Sequence, residues 1–192
     1  MKSILILALF TFSLCLGGFG LAGGWSKRSI LENSLDIDQS FKLATAEYTK
    51  TTNVDADSLV RLTVYSQVVS GSNYKVTFIN PNTVYPVIQE YVVYIPLRQS
   101  NNKIEITDHK EYKAENGVLA HNDSAFSELE KQLYDFLKNT KEKLIFISYV
   151  IPVENNDTRF FMISAFTGCG QHQYIICQEK SSGDYYLTEK LR

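Results

Sequence analysis

The chain carries no excess of charge of either sign: 19 Lys and Arg stand against 21 Asp and Glu in 192 residues, a formal net charge of −2. No basic cluster breaks this balance, which argues against nucleic acid as the main partner. The common catalytic motifs are also missing. There is no His-Glu-x-x-His, no paired Cys-x-x-Cys, no Walker loop and no Gly-x-Ser-x-Gly. His109, His121 and His172 lie on separated segments and the acids are scattered, so no catalytic constellation assembles and an enzyme is not expected. Cysteine is scarce, with three residues. Cys169, Cys177 and His172 gather only three candidate ligands at a spacing that fits no common zinc pattern, so neither a metal nor another cofactor is expected.

What is present begins with the N-terminus. Lys2 precedes the apolar run "ILILALFTFSLCL" and the small residues "GGFGLAGG". This pattern predicts a signal peptide over residues 1–22, cleaved after Gly20 or Ala22. The run is shorter than the roughly 20 residues that a membrane span requires, although a retained anchor is the alternative reading. The expected location is therefore the outside of the cell or a lysosomal or vacuolar lumen, without membrane attachment after cleavage. Cys15 departs with the signal, leaving Cys169 and Cys177 as an even pair that either bridges in an oxidising compartment or stays as two thiols. Asn122-Asp-Ser and Asn156-Asp-Thr are glycosylation sequons.

Residues 34–52 read as a helix: Ile37, Phe41, Ala44 and Tyr48 repeat at helical spacing, and Asp36 with Gln39 suggests a capping box. Period-two segments follow. Val60, Leu62, Val64 and Val68 are expected on one strand face; Tyr74, Val76 and Phe78 form the next strand, then Tyr91, Val93, Ile95 and Leu97, then Ile104 and Ile106. "SGSN", "NPNT" and "RQSNN" supply turns. After a polar joint near 107–122 the order repeats. Ser124 is expected to cap a helix with Phe126, Leu129, Leu133, Phe136 and Leu137 on its apolar face, and "LIFISYVI", "RFFMISAF", "YIICQEK" and "YYLTEKL" read as strands. The expected fold class is α+β, with internal duplication preferred over one larger sheet carrying two helices.

The Gln-x-Val-x-Gly pattern of Gln67, Val68, Val69, Ser70 and Gly71 resembles the first inhibitory hairpin of the cystatins, protein inhibitors of papain-like cysteine proteases. "KLATAEYTKTTN" is similar to that family's helix, "GGWS" with Gly23 and Gly24 to its glycine trunk, and "VVYIPLRQSNNKIEI" to its second inhibitory loop, with Pro96 and Leu97 at the tip. The resemblance covers residues 23–112. It implies an antiparallel sheet wrapped around one long helix, and reversible occlusion of the cleft of cathepsin-type proteases by trunk and two loops.

The residue chemistry points the same way. Val68 and Val69 offer apolar area at about 25 cal/mol per Å2 buried. Gly71 permits close backbone approach and positive φ. Gln67 is placed to hydrogen-bond across the hairpin.

Two features depart from the family's pattern. Leu97 stands where many secreted relatives have an aromatic residue, implying weaker or differently selective binding. In some secreted members an Asn after the helix inhibits legumain; Asn53 matches that place, but Val54 follows where a polar residue is expected.

Residues 113–192 are expected to be a second cystatin-like repeat without papain-directed activity. Their corresponding bend, "YVIPVENNDT", lacks the Gln-x-Val-x-Gly pattern, places Glu154 at the tip and carries the Asn156 sequon. Latexin, with two cystatin-like halves, is an architectural precedent. The alternative function is a non-inhibitory, secreted cystatin-fold binding module.

Overall fold

The apolar residues of the first helix fall on one stripe because Ile37, Phe41 and Ala44 recur at three- and four-residue intervals, and all three are buried. The computed structural model describes residues 23–83, 86–97, 102–114 and 117–191. The residues of the expected signal peptide and most of the "RQSNN" turn lie outside this set.

Helix α1 spans Leu35–Thr52. The expected capping box is not what starts it. Ser34 is the cap, accepting from the Ile37 N–H at 3.5 Å, while the Asp36 carboxylate accepts from the Tyr74 hydroxyl at 3.4 Å. Five strands follow the sheet order of the chain: β1 (Ser26–Arg28), β2 (Val60–Val69), β3 (Gly71–Ile79), β4 (Val87–Pro96) and β5 (Glu105–Lys113). All neighbours are antiparallel. Strand β1, three residues long, is too short to show a period in the sequence. Strand β5 runs to Lys113, deep into the stretch expected as a polar joint.

Helix α2 spans Ser124–Leu137 and is capped by Asp123, which accepts from the Ala125 N–H at 2.8 Å. Ser124 is thus the first helical residue rather than the cap. A second antiparallel sheet contains β6 (Leu144–Glu154), β7 (Thr158–Thr167), β8 (Gly170–Glu179) and β9 (Tyr185–Leu191) in chain order.

Three apolar clusters stack these elements into four layers. Ile37, Phe41 and Ala44 of α1 meet Val64, Val76, Phe78, Tyr91 and Val93 on one face of the five-stranded sheet. Phe126, Leu129, Leu133 and Leu137 of α2 meet Val150, Phe161, Ile163, Tyr174 and Ile176 on one face of the four-stranded sheet. The opposite faces of the two sheets close on each other through Val60, Leu62, Ile79 and Ile88 against Val153, Phe160, Ile175 and Cys177. The order is helix, sheet, sheet, helix.

The middle cluster corrects one sequence expectation. Val60 and Leu62 face the second sheet, whereas Val64 faces α1. The pairing of β2 with β3 shifts register between Arg61 and Thr63, and such an irregularity reverses which face later residues occupy.

Of the two alternatives for the cysteine pair, the structure holds two thiols. Cys169 is exposed in the β7–β8 turn, Cys177 is buried in the sheet interface, and both are free. Gly170 and Cys177 bound a stretch of the same strand, so about 23 Å separates their ends at roughly 3.3 Å per residue. A disulfide tolerates a Cα separation of at most about 7 Å.

Candidate functional site

Strands β2 and β3 meet at a bend with a single residue, Ser70, between the paired Val69 and Gly71. A turn this tight constrains its glycine. Gly71 has φ +138°, and a Cβ there would stand 2.6 Å from the Ile95 carbonyl oxygen and 2.8 Å from a Tyr94 ring carbon. The glycine is therefore demanded from within the sheet. Tyr94 adds a clamp by donating its hydroxyl to the Ser70 carbonyl at 2.5 Å.

Gln67 holds two segments at once. Its Oε1 accepts from Asn73 across the hairpin at 3.2 Å, and its Nε2 donates to the carbonyl oxygen of Gly23. The N-terminal glycines are thereby fixed beside the bend. Gly23 has φ +113°, a conformation that L side chains rarely adopt, with open space where a Cβ would point. Gly71 pairs with Pro96 at the end of β4, which brings the third segment alongside.

The sequence-selected residues Gly23, Gly24, Gln67, Val68, Val69, Ser70, Gly71, Pro96 and Leu97 accordingly gather at one end of the five-stranded sheet. None of them ionises. Val68 is 74% exposed, Val69 43% and Leu97 62%, an unusual display of apolar area on a hairpin tip. Asn53 is not part of this end. It is exposed with φ 54° at the C-terminus of α1, and the chain passes from it into the start of β2 at Val60. Strand β2 then runs about 30 Å before reaching the bend at Val69.

The bend between β6 and β7 is arranged differently. Asn155, between β6 and β7, is buried and donates to the Glu90 carboxylate at 2.8 Å. Asp157 pairs with Lys75, and Thr158 shares a hydrogen bond of 3.1 Å with the Tyr65 hydroxyl. Burial pushes the Tyr65 phenol up to about 12, so it stays a neutral hydrogen-bonding group. This turn is occupied by the first sheet. Glu154 lies outside the contact and pairs with Arg159 and Lys180, whose hydrogen bonds hold its carboxyl below the usual range. Both sequon asparagines, Asn122 and Asn156, are exposed.

Sequence reasoning did not find Tyr94, Asn73, Trp25 or the ion pair of Lys27 with Glu179 at 2.9 Å. Their roles depend on strand register and on the packing of one sheet against the other, neither of which leaves a local pattern. Among the described residues there is no group of three or more His, Cys, Asp and Glu placed to hold a metal, and no helix long and apolar enough to cross a membrane.

Comparison with protein-family models gives no match to the chain, and comparison with curated proteins gives none.

Proposed function

We propose that the protein is a secreted, reversible inhibitor of papain-like cysteine proteases whose first half is cystatin-like and whose second half is a degenerate copy of the same unit. It has no catalytic chemistry of its own and acts by occlusion. The observation that carries the reading is the convergence of Gly23–Gly24, Gln67–Gly71 and Pro96–Leu97 into one uncharged edge with Val68, Val69 and Leu97 exposed.

The physical logic is that of a preformed wedge. A protease cleft that binds extended peptides is narrow and partly apolar, so the entering group must be thin and uncharged. The single-residue bend is thin, the valines supply apolar area, and the Gln67 and Tyr94 contacts fix the shape before binding. Pre-organisation lowers the entropy lost on docking. The glycine trunk passes the catalytic thiol without a side chain to seat a scissile bond. Asn53, on a separate loop, leaves room for a second target of the legumain type at the other end of β2.

The second half is non-inhibitory in this reading, and its own turn supplies the reason. Asn155, Asp157 and Thr158 are committed to Glu90, Lys75 and Tyr65 and are not free to enter a cleft.

Titration of the secreted protein into papain with a fluorogenic substrate tests the proposal. The expected result is stoichiometric, reversible inhibition that weakens at least about 10-fold in Val68→Asp, since an unpaired neutral polar group in a desolvated contact already costs about 1–3 kcal/mol and an unpaired charge costs more. Absence of inhibition at micromolar concentration would replace this reading with that of a binding module. Ile145 and Phe146 on the edge strand β6, 62% and 47% exposed, are the surface favouring that second reading.

A further inference from the structure

We infer that the second half serves as a brace that holds the N-terminal trunk in place beside the hairpin bend. The inference rests on the reading of that end as the protease-facing edge.

The trunk has little to hold it by itself. Gly23 and Gly24 carry the largest backbone entropy of any residues. Strand β1 contributes three residue pairs at the sheet margin: Ser26 with Ser66, Lys27 with Tyr65 and Arg28 with Val64. So short an edge strand is marginal without additional packing.

The missing support comes from residues more than a hundred positions away. Lys27 Nζ donates to Glu179 Oε2 at 2.9 Å and sits 3.8 Å from the centre of the Tyr186 ring. Glu179 is fixed in turn, because its other oxygen accepts from the Tyr65 hydroxyl at 3.4 Å. A second grip lies two residues nearer the glycines. The ammonium of Lys75 lies 4.9 Å from the centre of the Trp25 ring while paired with Asp157. Lys75 is only 8% exposed, so this charge is confined between the halves and strengthens both contacts.

Glu179, Tyr186 and Asp157 all belong to the second half. Glu179 and Tyr186 contact Lys27 directly, Asp157 acts on Trp25 only through the Lys75 it pairs with, and Gln67 holds Gly23. The three contacts form a chain from the second sheet to the tip of the edge. Lys27 and Glu179 are thus positioning residues: neither is among the residues assigned to the cleft, and both determine where the trunk lies.

Trp25 is the only tryptophan of the chain, so its fluorescence reports the trunk directly. The experiment compares wild type, Glu179→Gln, Lys27→Met and Val68→Asp for Trp25 emission, thermal midpoint and papain inhibition. The brace predicts that Glu179→Gln and Lys27→Met each shift Trp25 emission to the red and raise the inhibition constant about tenfold, as expected for ordering a few residues at the moment of docking. The thermal midpoint should change little, and Lys27→Met, altered on an exposed strand, serves if Glu179→Gln fails to fold. Unchanged emission in both variants overturns the inference. So does shifted emission with an unchanged inhibition constant, while loss of inhibition in Val68→Asp would still uphold the edge. If wild type fails to inhibit, the reading of the edge falls, and the brace falls with it.

Discussion

Asn155 of the second half donates its side-chain amide to the Glu90 carboxylate of the first at 2.8 Å, and both residues are buried. The same asparagine closes its own turn, accepting from the N–H groups of Asp157 at 3.0 Å and Thr158 at 2.8 Å. The other Glu90 oxygen accepts from the Tyr112 hydroxyl at 3.1 Å. One carboxylate therefore ties β4, β5 and the β6–β7 turn together across the boundary between the two sheets.

That carboxylate makes stability depend on pH. Burial holds the Glu90 carboxyl above its usual range, opposed by the charge of Lys75 and the hydrogen bond from Tyr112. The folded chain keeps this proton to higher pH than the unfolded chain does. The favourable contribution is thus full below the unfolded value of 4.5 and is lost as pH rises from there through the folded value. Urea denaturation of wild type and Glu90→Gln from about pH 4 to about pH 7 checks the sign. The stability of wild type relative to the variant should fall with rising pH; a flat or rising difference contradicts it.

Gly71→Ala should destabilise the chain even without a protease present. The added Cβ meets the Ile95 carbonyl oxygen at 2.6 Å, and the residue must keep φ near +138°. Strain of this kind costs about 1–3 kcal/mol. Chemical denaturation measures it, with Val68→Ala as the control. Val68 is 74% exposed, so its truncation should alter stability by less than about 0.5 kcal/mol.

The shared middle cluster predicts that both halves melt together. Phe160 is 2% exposed and packs in the cluster that contains Leu62 and Ile88 of the first sheet. Phe160→Ala should cost about 3–5 kcal/mol. Trp25 fluorescence reports the first half and far-UV circular dichroism reports both. Their transitions should move to lower denaturant together, and separated transitions would show that each half is stable alone.

The two cysteines beyond residue 22 should differ sharply in reactivity. Cys169 is exposed, whereas Cys177 is buried between the two sheets with its thiol pushed up to about 12, chiefly by burial. Reaction with a thiol reagent should modify Cys169 at once and Cys177 only on unfolding. Peptide mapping after brief labelling distinguishes the sites, and a bridge between them would leave neither reactive.

Much of the fold is legible in the sequence. The apolar spacing of Ile37, Phe41 and Ala44 and of Phe126, Leu129 and Leu133 marked both helices, because a buried stripe at 3.6-residue period needs only local geometry. The alternation of Tyr74, Val76 and Phe78 marked a strand for the same reason. The caps were less legible: Ser34, Asp36 and Ser124 are all acceptable capping types, and the tertiary partner of Asp36, Tyr74, removed it from competition. The face of Val64 could not be read, since an irregularity two residues earlier reverses the alternation. The state of Cys169 and Cys177 stayed open in the sequence because a count of cysteines carries no distances.

The sequence by itself determined both helices, every strand except β1, the turn at Ser70 and the apolar residues on that turn, all of which depend on neighbours within a few positions. The tertiary structure alone decided that the two sheets bury their faces against each other, that Asn155 and Asp157 are spent on that contact, and that Gly23, Gly71 and Pro96 share one end. Local propensity acts along the chain, whereas register and sheet packing are set by the burial of surfaces contributed from distant segments, and those surfaces exist only once the strands are paired.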